Sequence, residues 1–126
     1  MKRRDIIIGF IAVLATPVSA QSVKLQAHEI EALLSGNTAI GTWSGANYRQ
    51  FFATDGSTIY AQEGQRSTRG RWRLDAANDE YQSIWPRDNE WEGWYVMEWA
   101  GDYFWVSKST PPTPFRVVQG EQLVAK

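Results

Sequence analysis

The sequence of 126 residues contains no cysteine and a single histidine, His28. The lack of cysteine excludes a disulfide scaffold, a thiolate zinc site, a cysteine nucleophile and a lipid-modified N-terminal cysteine. One imidazole excludes any site that needs two. The apolar run at 6–15 would rise roughly 15 Å as a helix, which is about half of a bilayer core and too short for a membrane anchor. The chain is rich instead in aromatic residues, with seven Trp, five Tyr and five Phe.

The first twenty residues have the pattern of a cleaved signal peptide. A basic head precedes the apolar run, and Val18 and Ala20 stand where a signal peptidase needs small residues. The pattern predicts cleavage after Ala20, a periplasmic or secreted protein without a membrane anchor, and a single β-rich domain over residues 21–126. Arg3-Arg4 also fits a twin-arginine signal, which leaves the export route open between that pathway and the general secretory one.

The charge of the processed chain argues against nucleic acid as a partner. Residues 1–20 hold three of the 13 basic and one of the 14 acidic residues, so a net charge of −3 remains. A chain without a basic excess is poorly suited to phosphate backbones or anionic lipid. Because no disulfide can form, stability must come from burial, for which the aromatic content is sufficient.

The hydrophobic pattern predicts a mainly β fold. Residues 25–34 repeat apolar side chains at helical spacing and end before Gly36-Asn37, which predicts one short α-helix. Eight strand-like segments follow: 39–43, 48–54, 57–63, 67–74, 80–85, 91–99, 103–107 and 115–119. Asp55-Gly56 predicts a type I′ hairpin turn. Eight short strands joined by tight turns favour a small antiparallel meander or barrel, because closure removes exposed edges.

Glycine and tryptophan recur in the predicted strands at a fixed spacing. Gly41-Thr42-Trp43 and Gly70-Arg71-Trp72 share a Gly-x-Trp pattern, which Gly93-Trp94 partly repeats. Glycine permits a sharp bend in a strand, and a tryptophan two residues later lies on the same face. The pattern therefore suggests strands that fold over while a tryptophan closes one end of the barrel, unless it is a coincidence in a Trp-rich chain.

Two strands present unusual outer faces. Arg69, Arg71 and Arg73 alternate with apolar residues, so they form either a solvated face paired to acids such as Glu63 or Glu80, or a cationic stripe for an acidic partner. On the strand 91–99 the better core face holds Trp91, Gly93, Tyr95, Met97 and Trp99. Trp94 and Val96 would then face outward and need a cover, supplied by the helix, by another protein or second copy of the chain, or by a ligand stacked on Trp94 or Trp91.

The residues that carry chemistry do not form a recognisable catalytic site. His28 lies beside Glu29 near the helix start, and no Gly-x-Ser-x-Gly elbow is present. The acidic segment Asp88-Asn89-Glu90 lacks the spacing of a calcium loop and is interpreted as a turn. Four carboxylates lie close in sequence: Glu90, Glu92, Glu98 and Asp102. We predict no metal, no cofactor and no enzymatic activity; a carboxylate-based hydrolase is the remaining enzymatic alternative.

Several short motifs occur in an order that resembles a known family. They are Leu33-Leu34-Ser35-Gly36-Asn37-Thr38, Gly41, the segment 48–52, Asp55-Gly56, Gly70-Arg71-Trp72 and Trp85-Pro86. This order is similar to a family of small exported bacterial proteins of unknown function with Leu-x-Gly-Asn-Thr, Asp-Gly and Gly-x-Trp motifs. Many members carry cysteines near Trp-Pro, where this chain has Gln82 and Trp94. The resemblance implies export and architecture but no activity, and a likeness to lipocalin-type barrels is an analogy of fold.

Two kinds of binding are compatible with these features. The first hypothesis is a solidly packed barrel that binds a protein through its aromatic-rich surface, as an inhibitor of an envelope or secreted hydrolase would, with these candidate residues: Trp85, Trp91, Trp94, Arg69, Arg71 and Arg73. The alternative is a lipocalin-like barrel that binds a small apolar or saccharide ligand. Its mouth would be lined by some of Trp43, Trp72, Trp85, Trp91 and Trp105. A cavity of about 300 Å³ or more inside the barrel would favour the alternative.

Overall fold

A computed structural model describes residues 21–124 as one nine-stranded sheet and one helix. The predicted signal peptide, residues 1–20, lies outside the described residues. In chain order the elements are β1 (Val23–Lys24), α1 (Ala27–Leu34), β2 (Asn37–Trp43), β3 (Ala46–Phe52), β4 (Ser57–Gln62), β5 (Thr68–Asp75), β6 (Glu80–Ile84), β7 (Glu92–Trp99), β8 (Asp102–Val106) and β9 (Thr113–Gln119). Within the described part of the chain, no helix is long and apolar enough to cross a membrane.

Strands β2 to β9 form a closed antiparallel barrel. Each strand pairs with the next in the chain, and β9 closes the barrel on β2 with Thr38 opposite Val118 and Ile40 opposite Arg116. The predicted fold class is therefore confirmed, with every predicted strand present and its ends within two residues. The additional strand β1 pairs with the end of β7, with Val23 opposite Glu98. Two residues are too few to show a strand period in a sequence.

The helix α1 lies across one end of the barrel. It contacts β2 on one side and the paired strands β5 and β6 on the other. Since β2 is not a neighbour of β5 or β6 around the barrel, the helix spans the opening between them. Its own residues Ile30 and Leu34 are fully buried on the face that it turns to the barrel. The helix starts two residues later than predicted, because the Leu25 N–H donates to the Val96 carbonyl and extends the pairing of β1 with β7 (2.8 Å). The Ala27 N–H donates to Asp79 Oδ1 (2.8 Å), which satisfies one of the free donors at the helix start.

The tight type I′ turns occur at two strand connections other than Asp55-Gly56. Ser44-Gly45 joins β2 to β3 and Ala100-Gly101 joins β7 to β8, and both residues of each pair have positive φ, as type I′ turns require. At Asp55-Gly56 only Gly56 has positive φ, so the prediction of a type I′ turn there is wrong. Asp55 Oδ1 instead accepts the Ser57 N–H (2.9 Å), which stabilises a longer four-residue connection.

The predicted inner face of the strand 91–99 is wrong. Val96 is fully buried inside the barrel, and Trp94 packs partly buried against the core, so β7 points these residues inward. The outer ring of Tyr95 on β7 is covered by a cation of the same chain, since Lys24 Nζ lies 4.0 Å from the ring centre. The helix therefore does not cover an outer face of β7. The hydrophobic pattern could not identify the inner face of this strand, because both of its faces carry aromatic residues.

An aromatic core fills the middle of the barrel. The Phe52 ring is fully buried and meets Trp72 and Tyr81 edge-on, with ring centres 5.5 and 5.6 Å apart. Trp105 stacks on Phe115 with their ring centres 4.2 Å apart. This cluster, together with the helix residues above it, closes the barrel interior at the helix end.

Candidate functional site

A cavity of about 400 Å³ opens at the end of the barrel opposite the helix. It lies where β2, β6 and β8 end and where β3, β5 and β7 begin. The prediction of a solidly packed interior is therefore wrong at this end. Seven of the thirteen lining residues are aromatic: Trp43, Tyr48, Tyr60, Tyr81, Trp85, Trp94 and Trp105. The others are the uncharged polar residues Gln50, Gln62, Gln65, Thr68 and Ser83, and one acid, Glu92.

Hydrogen bonds between side chains organise the floor of the cavity. The Gln50 amide donates to Tyr81 Oη and to Thr58 Oγ1, both at 3.0 Å. The Trp105 Nε1–H donates to Tyr48 Oη (3.1 Å). These bonds use the two phenol oxygens as acceptors, and Tyr81 is also hydrogen-bonded to Ser83. The Tyr48 O–H is therefore the donor that remains for a bound molecule. A fixed polar floor under aromatic walls is the usual composition of a small-molecule site.

Two pairs of perpendicular rings form the walls near the mouth. Trp43 and Trp94 meet with ring centres 6.1 Å apart and their planes at 81°. Tyr60 and Trp85 meet at the same distance with their planes at 71°. Each pair forms a corner that presents ring faces in two directions. The outer end of the cavity is therefore a partly open aromatic box.

Two glycines of the Gly-x-Trp pattern make room for the cavity rings. A Cβ added at Gly41 would lie 2.7 Å from Tyr48 Oη, and one added at Gly70 would lie 2.5 Å from the Trp85 ring. The rings therefore occupy the space that any other side chain would take. The pattern has a different role from the predicted one: glycine seats an aromatic ring of a neighbouring strand or loop, and it does not act together with the tryptophan two residues later.

Burial raises the pKa of three tyrosines in this site. Desolvation raises the pKa of Tyr60 to about 12, with a smaller contribution from nearby Tyr48. Burial also raises the pKa of Tyr48 and of Tyr81, against the lowering effect of the hydrogen bonds that their oxygens accept. All three phenols are therefore neutral at physiological pH.

The raised tyrosine pKa values predict alkaline destabilisation. In the unfolded chain these phenols ionise near pH 10, whereas in the folded chain they hold their protons to higher pH. Their contribution to folding is complete below pH 10 and is lost as the pH rises towards 12. We expect part of the tyrosinate absorbance at 295 nm to be delayed beyond pH 10 and to appear together with unfolding. Complete ionisation by about pH 11 in a folded protein would contradict this assignment.

The structure separates the predicted binding residues into two groups. Trp85 and Trp94 line the cavity, as do Trp43 and Trp105. Trp72 instead lies in the aromatic core, where its Nε1–H donates to the Ala53 carbonyl (2.9 Å). Trp91 lies outside the cavity, with the Arg73 guanidinium 3.9 Å from its ring centre.

The three arginines lie on the outer face of β5, as predicted, and all are exposed. No acid lies directly opposite any of them, because Arg69 faces Ile59, Arg71 faces Ser57 and Ile84, and Arg73 faces Gln82. Arg73 Nε donates to Gln82 Oε1 (2.7 Å), and the same amide donates to Glu80 Oε1 (3.1 Å). The expected link between an arginine and Glu80 therefore runs through a glutamine.

Sequence reasoning missed the polar half of the cavity. Tyr48 and Gln50 on β3, Tyr81 and Ser83 on β6, and Glu92 on β7 all line it. The available signal was the alternation of each strand, since these residues share the inner face with Phe52 or Val96. Polar residues at inner positions of three strands, of which β6 and β7 are neighbours, indicate a cavity or a buried polar network.

The other candidate residues lie apart from the cavity. His28 is exposed on α1. Asp88 lies in the loop before β7, where its carboxylate accepts the Trp85 N–H (3.0 Å) as a turn residue. Within residues 21–124, no group of three acidic or histidine side chains is placed to hold a metal ion.

Comparison with protein-family models, with curated proteins and with solved structures gives no match for this chain. The family resemblance described above therefore stays a prediction.

Proposed function

We propose that the protein binds a small, largely apolar molecule in the open end of its barrel, without converting it. The observation that carries the proposal is the cavity of about 400 Å³. Sites for small molecules are concave, lined mainly by aromatic and apolar side chains, and contain a few fixed polar groups. The aromatic walls and the hydrogen-bonded floor fit that description. The bound molecule would replace water against the rings and meet the phenols of Tyr48 and Tyr81.

The chemistry of the lining supports binding over hydrolysis. A glycosidase of the usual kind needs two carboxyl groups that flank the bond to be cleaved. Among the described residues that line the cavity, Glu92 is the one carboxylate. The lining therefore lacks the second acid on which the carboxylate-based alternative depends.

The proposed location is the periplasm or the extracellular space. It rests on the signal-peptide pattern of residues 1–20 and on the favourable residues before the expected cleavage site, Val18 and Ala20. A ligand-binding barrel in that location would meet its ligand outside the cytoplasm. Detection of a form that begins at Gln21 in the periplasmic or culture fraction would test the location.

Filling the cavity tests the proposed function. Ser83 lies on the inner wall and is 3% exposed, so the ring of a Ser83→Phe variant would have to enter the cavity. The adjacent open volume should relieve the overpacking that normally destabilises such a change. We expect the neutral dye N-phenyl-1-naphthylamine to bind the protein with enhanced fluorescence, and the Ser83→Phe variant to bind it at least about tenfold more weakly.

Ser67→Phe is the matched control, because Ser67 is exposed and outside the cavity lining. It should leave dye affinity within about twofold of the original value. Equal loss in both variants, or no dye binding to the unchanged protein, would contradict the proposal. Circular dichroism and the thermal midpoint of each variant establish that the comparison is made between folded proteins.

A further inference from the structure

We propose that the cavity selects molecules that carry both an aromatic or apolar group and a positively charged amine. This inference rests on the proposed function and names the class of ligand. It is carried by three features of the site: its single formal charge, the arrangement of its rings, and the contrast between the inner and outer rings of the barrel.

The single formal charge in the described lining is the carboxylate of Glu92. Glu92 lies opposite Ser83 on the inner face, near the buried hydroxyl of Tyr81. The Glu92 side chain is exposed at the cavity, and none of the hydrogen bonds described for residues 21–124 ends on its carboxylate. An unpaired carboxylate beside aromatic walls attracts a cation and repels an anion.

The rings near the mouth offer faces of more than one orientation to a cation. The corner of Trp43 and Trp94 and the corner of Tyr60 and Trp85 present ring faces in different directions around the mouth. The faces of aromatic rings carry negative electrostatic potential, and several faces around one volume bind alkylammonium groups. The cavity therefore combines a cage of rings with a carboxylate.

The aromatic rings on the outside of the barrel differ from those in the cavity in their contacts with cations. Lys24 covers Tyr95 and Arg73 covers Trp91, so two outer aromatic faces are already occupied by cations of the chain itself. The described cavity lining contains seven rings and no lysine or arginine. A positively charged ligand could therefore lie against the cavity rings in the way that Lys24 and Arg73 lie against the outer rings.

Three probes of similar size and different charge test the inference: phenethylammonium, 2-phenylethanol and phenylacetate. At pH 7 and low salt we expect phenethylammonium to bind at least about tenfold more tightly than 2-phenylethanol, and phenylacetate to bind most weakly. Isothermal titration calorimetry measures all three. Raising the salt concentration should weaken the binding of phenethylammonium and leave the alcohol nearly unchanged, because salt screens charge pairs.

Glu92→Gln removes the charge while keeping the shape of the side chain. It should lower phenethylammonium affinity about tenfold and change the affinity of the alcohol by less than about twofold. Glu90→Gln is the matched control, since it makes the same change of net charge two residues away, outside the lining. It should change neither affinity by more than about twofold.

The outcomes separate the inference from the proposed function. If 2-phenylethanol binds as tightly as phenethylammonium, or if Glu92→Gln weakens both probes equally, selection of a cation is overturned while ligand binding stands. Tighter binding of phenylacetate would also overturn it. If none of the three probes nor the neutral dye binds, both the inference and the proposed function fail.

Discussion

Replacing Phe52 by alanine should reduce the free energy of unfolding by about 3–5 kcal/mol, the range for large aromatic residues in well-packed cores. Phe52 is fully buried and contacts the rings of Trp72, Tyr81 and Trp105. Removing its ring leaves a void among large rigid side chains that cannot easily collapse. For a domain whose total stability is of order 5–15 kcal/mol, this is a large fraction. Urea denaturation followed by tryptophan fluorescence measures the change.

Phe51→Ala is the matched control. Phe51 is the preceding residue on the same strand, but it faces the other side of the sheet and is half-buried. The same atoms are removed, so the difference between the two variants reports the inner environment. We expect Phe51→Ala to cost less than about 1.5 kcal/mol, since less surface is returned to water. Equal costs would mean that the face assignment of β3 is wrong.

The second large effect is expected from Gly70→Ala. In an ordinary strand this change is mildly stabilising, because glycine loses more backbone entropy on folding. Here the added Cβ would lie 2.5 Å from the Trp85 ring and 2.6 Å from the Ile84 carbonyl oxygen. One of these neighbours is backbone, so rotation of the ring alone cannot relieve the contact. We expect a loss of about 1–3 kcal/mol in urea denaturation, together with weaker dye binding as Trp85 is displaced from the cavity.

A double-mutant cycle with Trp85→Ala identifies the source of this effect. In the Trp85→Ala background the ring contact is gone, but the contact with the Ile84 oxygen remains. The cost of Gly70→Ala should therefore fall without disappearing, which gives a measurable coupling between the two sites. A neutral or stabilising Gly70→Ala in the unchanged background would show that Trp85 does not pack on Gly70.

The strands could be predicted from the sequence because their signals are local. Alternation with period two and turn residues between the runs identify each strand, and burial of alternate residues on β3 follows that alternation. The turn at Asp55 shows the limit of local rules. Its Asp-Gly pair is typical of a type I′ turn, but the aspartate side chain accepts the Ser57 N–H and favours a different backbone conformation. The two type I′ turns occur at Ser44-Gly45 and Ala100-Gly101.

The inner face of β7 and the cavity could not be predicted because both depend on distant residues. Tyr95 tolerates the outer face because Lys24, far away in the sequence, lies over its ring. Trp94, a candidate binding residue that was expected to face outward, lines the cavity instead. Whether the sixteen aromatic residues of 21–126 fill a barrel or leave an opening depends on how the rings tilt against one another. The tilt of the rings is set by tertiary contacts, which a local sequence pattern does not contain.

The most direct test of the account uses the seven tryptophans as reporters. Incorporation of 5-fluorotryptophan gives one ¹⁹F signal for each, assigned by single Trp→Phe variants, and N-phenyl-1-naphthylamine is then titrated. The signals of the four cavity tryptophans should shift, and those of the other three should stay nearly constant. The cavity set is Trp43, Trp85, Trp94 and Trp105, and the other set is Trp72, Trp91 and Trp99. Largest shifts at Trp91 and Trp99, with the cavity signals unmoved, would place binding on the outer surface and contradict the account.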